Sequence, residues 1–226
     1  MPVTIARRLE PEWLDALPAS DPRAARSRRD LVRVNTLMGN PGIVAKALRG
    51  SAPRQVADIG AGDGRFALRV LRAVGGGGEI ALVDRDAAVS GATLDAFRAL
   101  GWKPHVVRAD VFEWLDCDGQ ALDAIFANLF LHHFERAPLA RMLSGIARRA
   151  SRFVACEPRR SSFALAGARL LGCIGCNDVT RHDAVVSVRA GFRDGELTAL
   201  WPRDRKWLVD ERARGLFSHA FVARTR

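Results

Sequence analysis

The fold is decided by the stretch Val56-Ala57-Asp58-Ile59-Gly60-Ala61-Gly62-Asp63-Gly64-Arg65-Phe66. Apolar residues lead into an acid, three glycines follow at alternate positions, and a helical pattern begins after them. Glycines at a strand-to-helix turn permit positive φ and close approach of a ligand to the backbone, and the following helix offers free N–H groups. A dinucleotide fingerprint would need glycine where Arg65 stands, and a phosphate loop would need Gly-Lys-Ser/Thr. An acid at the strand end suits instead a ligand that bears an ammonium group.

Strands and helices are predicted to alternate on the C-terminal side of this turn. The predicted strands cover residues 55–59, 79–83, 105–109, 122–127 and 152–156. The predicted helices cover residues 65–74, 87–100, 112–115 and 137–150. Five apolar strands separated by helices indicate a parallel sheet that is covered on both faces.

The two ends of the chain depart from this alternation. The first fifty residues have apolar positions at helical spacing, and an apolar helix is predicted at 161–176, followed by a helix at 183–190. Strand-like runs at 196–201 and 217–224 lie too close together for a parallel crossover and predict a β-hairpin. The predicted fold class is therefore α/β, an open sheet that ends in a hairpin.

Polar residues mark the ends of the second, third and fourth predicted strands. Asp84 ends the second strand, where a carboxylate can accept hydrogen bonds from both hydroxyls of a ribose. Asp110 ends the third strand, where an acid followed by the apolar Val111 can hold the exocyclic amine and the ring of an adenine. The fourth strand runs into Asn128, and His132 and His133 follow shortly after it.

Taken together, these positions resemble the class I S-adenosylmethionine-dependent methyltransferases, in the bacterial branch that acts on natural products and quinones. The resemblance covers residues 51–226 and implies a Rossmann-like, seven-stranded, mostly parallel sheet with helices on both faces and a C-terminal antiparallel hairpin. It implies S-adenosyl-L-methionine as the cofactor. The cofactor-binding residues that it implies are Asp58, Gly60, Gly62, Gly64, Asp84, Arg85, Asp110, Val111 and Asn128. Arg85 could instead pair with Asp86 at the surface.

Three histidines are candidate catalytic bases. Methyl transfer is an in-line displacement that depends on positioning, and a phenol acceptor also needs a group that removes its proton. His133 is the first choice, then His132, because both follow the fourth strand, where the family places residues of the acceptor side. His182 is the reserve candidate. Each of the three could instead have a purely structural role.

The substrate is predicted from the segments that would cover the site. We expect residues 1–50 to form a helical lid and residues 159–181 to form a substrate cap, and both are rich in apolar side chains. An apolar cover suits a small aromatic acceptor, so O-methylation of a phenolic or quinol metabolite is the predicted reaction. N- or C-methylation of a similar aromatic is the alternative, and both segments could also simply pack on the sheet.

The net charge of +10 raises the question of nucleic acid. Of the 35 basic residues 32 are arginines, a bias that a GC-rich genome would produce without any binding role, so a nucleic-acid partner is not expected. The positive charge is concentrated in residues 141–176, which carry seven basic residues and one acidic residue. An RNA methyltransferase that uses this segment therefore stays as an alternative, as does a nucleoside-binding partner subunit without catalytic activity.

The remaining sequence features concern metals, thiols and location. Four cysteines are few for this length, which indicates free thiols. The Cys173-Ile-Gly-Cys176 pair has no second pair of ligands, so we expect these two thiols to be buried and expect no metal. No apolar run reaches the length of a membrane span, and the N-terminus has no signal-peptide pattern, so a cytoplasmic location is expected. The oligomeric state, monomer or homodimer, is left open.

Overall fold

One seven-stranded sheet organises the computed structural model, which describes residues 5–18, 20–117, 119–204 and 206–226. The strands are β1 (Gln55–Ile59), β2 (Gly78–Asp84), β3 (Trp102–Arg108), β4 (Ala124–Asn128), β5 (Arg152–Pro158), β6 (Trp207–Arg214) and β7 (Ser218–Thr225). Their order across the sheet is β3-β2-β1-β4-β5-β7-β6. The pairings of β7 with β5 and with β6 are antiparallel, and the other pairings are parallel. The predicted Rossmann-like sheet with a C-terminal antiparallel hairpin is confirmed.

Helices cover both faces of the sheet. They are α1 (Trp13–Ala16), α2 (Pro22–Met38), α3 (Asn40–Leu48), α4 (Arg65–Val74), α5 (Gly91–Ala99), α6 (Val111–Asp116), α7 (Arg136–Arg149), α8 (Ser162–Arg169) and α9 (Asp178–Ala190). Short 3₁₀ turns lie at Leu131–His133 and Leu170–Ile174. Neighbouring strand residues point to opposite faces: Phe126 packs with α3 and α4, whereas Ile125 packs with α6 and α7.

The order of the strands creates the crevice in which ligands of such folds bind. β1 pairs with β2 on one side and with β4 on the other. The connection after β1 therefore leads to one half of the sheet, and the connection after β3 leads to the other half. In open α/β sheets a ligand binds outside the carboxyl ends of the strands at this point of reversal. Asp58, Asp84 and Asn128 all lie at or near those ends.

The strand predicted at 196–201 is wrong. This segment forms helical turns, in which the N–H of Trp201 donates to the carbonyl of Leu197 at 2.9 Å. Leu197, Leu200 and Trp201 stand at helical spacing, and Leu197 and Trp201 are buried against the sheet. The first hairpin strand is β6 instead, and the sequence concealed it because most of its residues are exposed on the edge of the sheet.

The region after β5 also differs from the prediction. The helix predicted at 161–176 ends at Arg169 and continues as a 3₁₀ turn to Ile174. The next helix begins at Asp178, five residues before the predicted start, because the side chain of Asn177 accepts a hydrogen bond from the N–H of Thr180 and caps it. The prediction of buried thiols at the Cys173-Ile-Gly-Cys176 pair is confirmed for Cys176 and wrong for Cys173, which is exposed.

Smaller differences concern element ends. The helix predicted from residue 87 begins at Gly91, because Ser90 caps it through the N–H of Thr93. β3 begins at Trp102 and contains Pro104, which is tolerated because β3 is an edge strand. Among the described residues, no helix combines the length and the apolar character that a bilayer crossing requires.

Candidate active site

The glycine-rich turn after β1 is held against the end of β2. The N–H groups of Gly60 and Ala61 donate to the carbonyl of Val83 at 2.9 and 3.2 Å, and the N–H of Gly62 donates to Asp84 Oδ2 at 2.9 Å. Gly60 and Gly62 have φ of +74° and +54°, which residues other than glycine rarely adopt. Gly64 ends the turn and lies at the N-terminus of α4.

Asp58 is buried at the end of β1 beside other acids. Burial raises the pKa of its carboxyl well above the usual value, and the negative charges of Asp84 and Asp63 raise it further. A cation placed here would be attracted by two neighbouring carboxylates. The arrangement therefore favours a ligand with an ammonium or sulfonium group at this position.

Asp84 and Arg85 extend the turn toward the N-terminal segment. Asp84 Oδ1 accepts a hydrogen bond from the N–H of Asp86 at 2.8 Å, and the remaining lone pairs of Asp84 can accept from a ligand. Arg85 is exposed and forms no ion pair with Asp86 among the described residues. Its charge acts instead on Asp15, where it opposes the rise in pKa that burial and then Glu12 cause.

The end of β3 carries an aromatic cluster that the sequence did not single out. Asp110 caps α6 by accepting from the N–H of Phe112 at 2.8 Å, and the side chain of Val111 is buried in the core. Phe112 and Phe130 each meet Phe134 edge to face, at centroid distances of 5.7 and 5.1 Å. Of the two apolar side chains that follow Asp110, only that of Phe112 is therefore partly exposed.

Asn128 is joined to the N-terminal helices. Its Oδ1 accepts a hydrogen bond from Asn40 Nδ2 at 2.8 Å, and its Nδ2 donates to Asn35 Oδ1 at 3.1 Å. Asn40 is fully buried, and its own Oδ1 accepts from Ser218 Oγ at 2.6 Å. Asn128 thus connects β4 to α2 and α3, two elements that the sequence predicted as a lid.

The loop after β4 is organised by one buried carboxylate. Glu157 Oε1, at the end of β5, accepts from the N–H groups of Phe130 and Leu131 at 3.1 and 3.0 Å. Its Oε2 lies 2.8 Å from His132 Nδ1. Arg7 adds a second restraint, because its guanidinium donates to the carbonyls of His132 and Phe134.

His132 lies between two carboxylates inside the protein. Its Nε2 is 3.5 Å from Glu12 Oε1, which is too far for a good hydrogen bond, although the charges still interact. Burial alone would lower the pKa of His132, but Glu12 and Glu157 outweigh it and raise the pKa to about 9. His132 therefore carries a proton near neutral pH.

His133 faces a cleft of about 340 Å³. The cleft is lined by Leu9, Glu10, Pro11, Glu12, Asp15, His132, His133, Val186 and Ala190. The pKa of His133 is lowered, first by the partial loss of water around its ring and then by the charge of His132. The His132 and His133 rings are 4.2 Å apart at their centroids, so the structure brings these two candidates together.

His182 lies outside the lining of this cleft. Its ring stacks on Trp13 at a centroid distance of 3.9 Å, and its Nδ1 lies 2.9 Å from Asp183 Oδ1. Asp183 in turn accepts from the N–H groups of Trp13 and Leu14, at the start of α1. In this structure His182 therefore helps to hold α1 against α9.

The cleft contains acids that sequence reasoning missed. Glu12 and Asp15 lie more than 110 residues before the histidines, so no local spacing connects them. Glu157 carried a signal, because an acid in the apolar strand Arg152–Pro158 is unusual and is buried here. The lining described above includes no residue of 159–181.

Comparison with known proteins identifies the domain. Residues 56–152, which run from β1 to the start of β5, match the family model described as a methyltransferase domain. The matched part of the chain is similar to a methyltransferase domain, in agreement with the predicted S-adenosylmethionine-dependent methyltransferase and its cofactor. No curated protein sequence matches the chain.

Solved structures share its fold. The plantazolicin methyltransferase BpumL, solved with SAH, has 13% identity and a TM-score of 0.65, with 92% of each chain covered. An O-methyltransferase family protein from Burkholderia thailandensis has 21% identity and a TM-score of 0.62, with 92% of this chain and 61% of that one covered. The mitomycin 7-O-methyltransferase MmcR has 20% identity and a TM-score of 0.57, with 94% and 60% covered.

Proposed function

We propose that this methyltransferase transfers the methyl group of S-adenosylmethionine to an oxygen of a small aromatic metabolite, a phenol or a quinol. The observation that carries the proposal is the cleft of about 340 Å³ beside the carboxyl ends of the strands, with His133 in its wall. This volume lies in the range of small-molecule sites, which begins at about 300 Å³. The proposal also draws on two proteins of the same fold, which are named as a plantazolicin methyltransferase and as a mitomycin 7-O-methyltransferase.

The cofactor would lie along the carboxyl ends of the strands. Asp58 and the glycine turn would contact the methionine portion, where the buried acids favour its ammonium group. Asp84 would hold the ribose, and Asp110 would hold the adenine beside the ring of Phe112. Asn128, with both amide atoms already bonded, would shape the methionine side through Asn35 and Asn40. Arg85 and Val111 stay as proposed contacts, Val111 through its backbone.

The proposed reaction is an in-line displacement. The acceptor oxygen attacks the methyl carbon, the carbon–sulfur bond breaks, and the electron pair of that bond stays on sulfur as the thioether product leaves. The proton of the phenol passes to a histidine, and we choose His133 because its ring faces the cleft whereas that of His132 is buried. The next candidates are His132, which would first have to lose the proton that it carries near neutral pH, and then His182.

The proposed lid consists of residues 1–50. Leu9 to Asp15 supply more than half of the residues that line the cleft, so the N-terminal segment contacts the space where an acceptor would bind. Residues 159–181 are a proposed outer cap over this lid. Ala164 and Ala168 of α8 pack against Val188 of α9, while Phe163 on the opposite side is exposed.

N-methylation is a second candidate, and the charge of the cleft favours it. Glu10, Glu12 and Asp15 all line the cleft, and carboxylates would attract an amine acceptor in its protonated form. A phenol would gain less from these acids. Comparing a phenol with the matched benzylamine, which is protonated near neutral pH, distinguishes the two reactions.

The contacts of the basic segment 141–176 favour a small acceptor over RNA. Five of its seven arginines make contacts within the chain, namely Arg141, Arg148, Arg149, Arg152 and Arg160. Arg160 is buried and paired with Glu196, so it cannot reach a phosphate. A salt-sensitive shift of RNA on a gel would support this alternative.

Cofactor binding provides the first test. We expect calorimetry to give micromolar affinity for S-adenosylmethionine and for its demethylated product, and Asp84→Ala to weaken both by at least about tenfold, because a carboxylate that accepts two hydroxyls is lost. Asp95→Ala, an exposed acid on α5, is the matched control and should bind like the wild type. Wild-type affinity in Asp84→Ala would contradict the proposed ribose contact.

Turnover provides the second test. A panel of phenols, quinols and anilines is incubated with cofactor labelled in its methyl group, and label in the product identifies the acceptor class. Binding of the cofactor without transfer to any member of the panel would favour the noncatalytic partner subunit.

A further inference from the structure

The acidic cleft also brings together three side chains that are able to bind a metal ion. Glu12, His132 and His133 each offer one ligand atom, and these three atoms all lie within 4.8 Å of one another. Two imidazole nitrogens and one carboxylate oxygen are ligands that Zn²⁺ and similar transition metals accept. We propose that Glu12, His132 and His133 form a binding site for a divalent transition-metal ion of the Zn²⁺ type, although the sequence predicted no metal.

The strongest observation is an unpartnered nitrogen on a buried ring. His132 is 2% exposed, and its Nε2 has no hydrogen-bond partner among the described residues. A buried polar atom without a partner is rare and costs free energy, so it calls for a ligand. An ion placed between His132 Nε2 and Glu12 Oε1 would coordinate both atoms.

The distances are compatible with such an ion. Ligand bonds of about 2.0–2.2 Å in a tetrahedral site place neighbouring ligand atoms roughly 3.3 Å apart. His132 Nε2 and Glu12 Oε1 already lie 3.5 Å apart. The ligand atom of the exposed His133 lies within 4.8 Å of the other two, so its ring would have to approach them by a small movement.

Glu157 orients His132 as a metal ligand. Its Oε2 lies 2.8 Å from Nδ1, so the proton on Nδ1 is held in that hydrogen bond. A bound ion would displace the proton on Nε2 and coordinate the Nε2 lone pair, which points toward Glu12. A histidine that donates its other N–H to a carboxylate is the usual arrangement around bound metals, because it fixes the ring and increases its basicity.

The charges around the site also favour a dication. Asp15 lines the same cleft as Glu12, and the carboxylate of Glu157 lies behind His132. Mg²⁺ suits the site poorly, because it prefers octahedral sites built from oxygen. A bound ion would engage both imidazoles, so metal binding and proton removal by a histidine would be alternative states of the cleft.

Metal binding is measured without cofactor or acceptor, so its failure and the failure of the proposed function are distinguishable. The full chain is prepared as Cys117→Ser/Cys173→Ser, which removes the two exposed thiols, and is stripped with EDTA. Calorimetry with Zn²⁺ should give one site, and Co²⁺ should give the visible absorption of a site with nitrogen ligands. Mg²⁺ should bind at least about tenfold more weakly than Zn²⁺.

Single substitutions in the same background identify the ligands. His133→Ala and Glu12→Gln should each weaken Zn²⁺ binding at least about tenfold, since the loss of a second-shell partner alone costs this much. His105→Ala removes an exposed histidine that pairs with Glu79 far from the cleft and should bind like the background protein. Melting curves check that each variant is folded. Unchanged Zn²⁺ affinity in both site variants, or an equal loss in His105→Ala, would overturn the proposal.

Discussion

Two adjacent histidines acquire opposite properties from their surroundings. His132 is buried between Glu12 and Glu157, which raise its pKa to about 9, whereas the pKa of its neighbour His133 is lowered. The difference arises because the 3₁₀ turn at Leu131–His133 directs one ring into the protein and the other into the cleft. The two side chains are therefore suited to different tasks.

Replacing His133 tests the proposed proton acceptor. His133→Ala should lower turnover of a phenol acceptor by roughly 10²–10⁴-fold, the usual contribution of a general base. The affinity for S-adenosylmethionine should hardly change, because the imidazole would face the acceptor. Steady-state rates and calorimetry measure the two effects, with His105→Ala as the control. Near-normal turnover in His133→Ala would mean that this histidine is not the base.

Two glycines of the turn after β1 can be compared as a matched pair. Both have positive φ, so alanine at either position should lower the free energy of unfolding by about 1 kcal/mol. A Cβ at Gly60 would also collide with the Phe130 ring, whereas one at Gly62 would meet no atom within 4 Å. Gly60→Ala should therefore cost about 1–3 kcal/mol more than Gly62→Ala in denaturant unfolding. Equal losses would mean that Phe130 moves aside without cost.

At the level of the elements, one buried carboxylate connects the hairpin to the segment before it by hydrogen bonds. Glu211 of β6 accepts from His219 Nε2 of β7 at 2.9 Å and from the N–H of Leu197 at 3.0 Å. It also accepts from the N–H of Thr198 at 2.6 Å. In addition to its backbone pairing with β7, this edge strand is thus joined to Leu197 and Thr198 through a single carboxylate.

The stability of this connection should depend on pH. Burial alone would raise the pKa of Glu211, but the hydrogen bonds from His219, Thr198 and Leu197 outweigh it and lower the pKa in the folded protein. The stabilisation is therefore present above the unfolded value of about 4.3 and is lost as pH falls through the folded pKa. Glu211→Gln should cost about 1–3 kcal/mol at pH 7 and progressively less below pH 4 in denaturant unfolding.

The exposed neighbour Asp210 supplies the control for this prediction. Asp210→Asn removes a carboxylate whose ion pairs with Arg212 and Arg214 lie at the surface, so its effect should stay within about 0.5 kcal/mol. A destabilisation by Glu211→Gln that stays constant between pH 3 and pH 7 would show that its charge does not stabilise the hairpin.

At the scale of the whole molecule, the proposed cofactor site joins segments from the entire chain. The N-terminal helices reach Asn128 through Asn35 and Asn40, and Asn40 also bonds to Ser218 of the last strand. A ligand bound at the carboxyl ends of the strands would therefore stabilise the folded chain as a unit.

Thermal unfolding measures this linkage. The demethylated cofactor at about 100 times its dissociation constant should add about 2.7 kcal/mol. For a chain of this length the melting temperature should rise by about 5–10 °C. The rise should be kept in Asp95→Ala and largely lost in Asp84→Ala at the same ligand concentration. The absence of any rise in the wild type at saturating ligand would contradict cofactor binding to the folded state.

The sequence by itself determined the α/β alternation, the glycine turn and the positions of Asp58, Asp84 and Asp110 at strand ends. These features are local, since strand and helix periods and the acid-glycine pattern are written within short windows. The hairpin strand β6 was missed for the same reason, because its exposed edge residues carry no apolar pattern, whereas the helical turns at 196–201 were taken for a strand.

Only the tertiary structure decided which groups meet in the cleft. Glu12 and Glu157 approach His132 from segments more than 140 residues apart, and Asn40 approaches Asn128 across 88 positions. Such contacts follow from the order of the strands and the return of the N-terminal segment over α9, which no local spacing encodes. The charges that give His132 and His133 their opposite properties arise from this assembly, because a pKa depends on what surrounds a side chain and not on its place in the sequence.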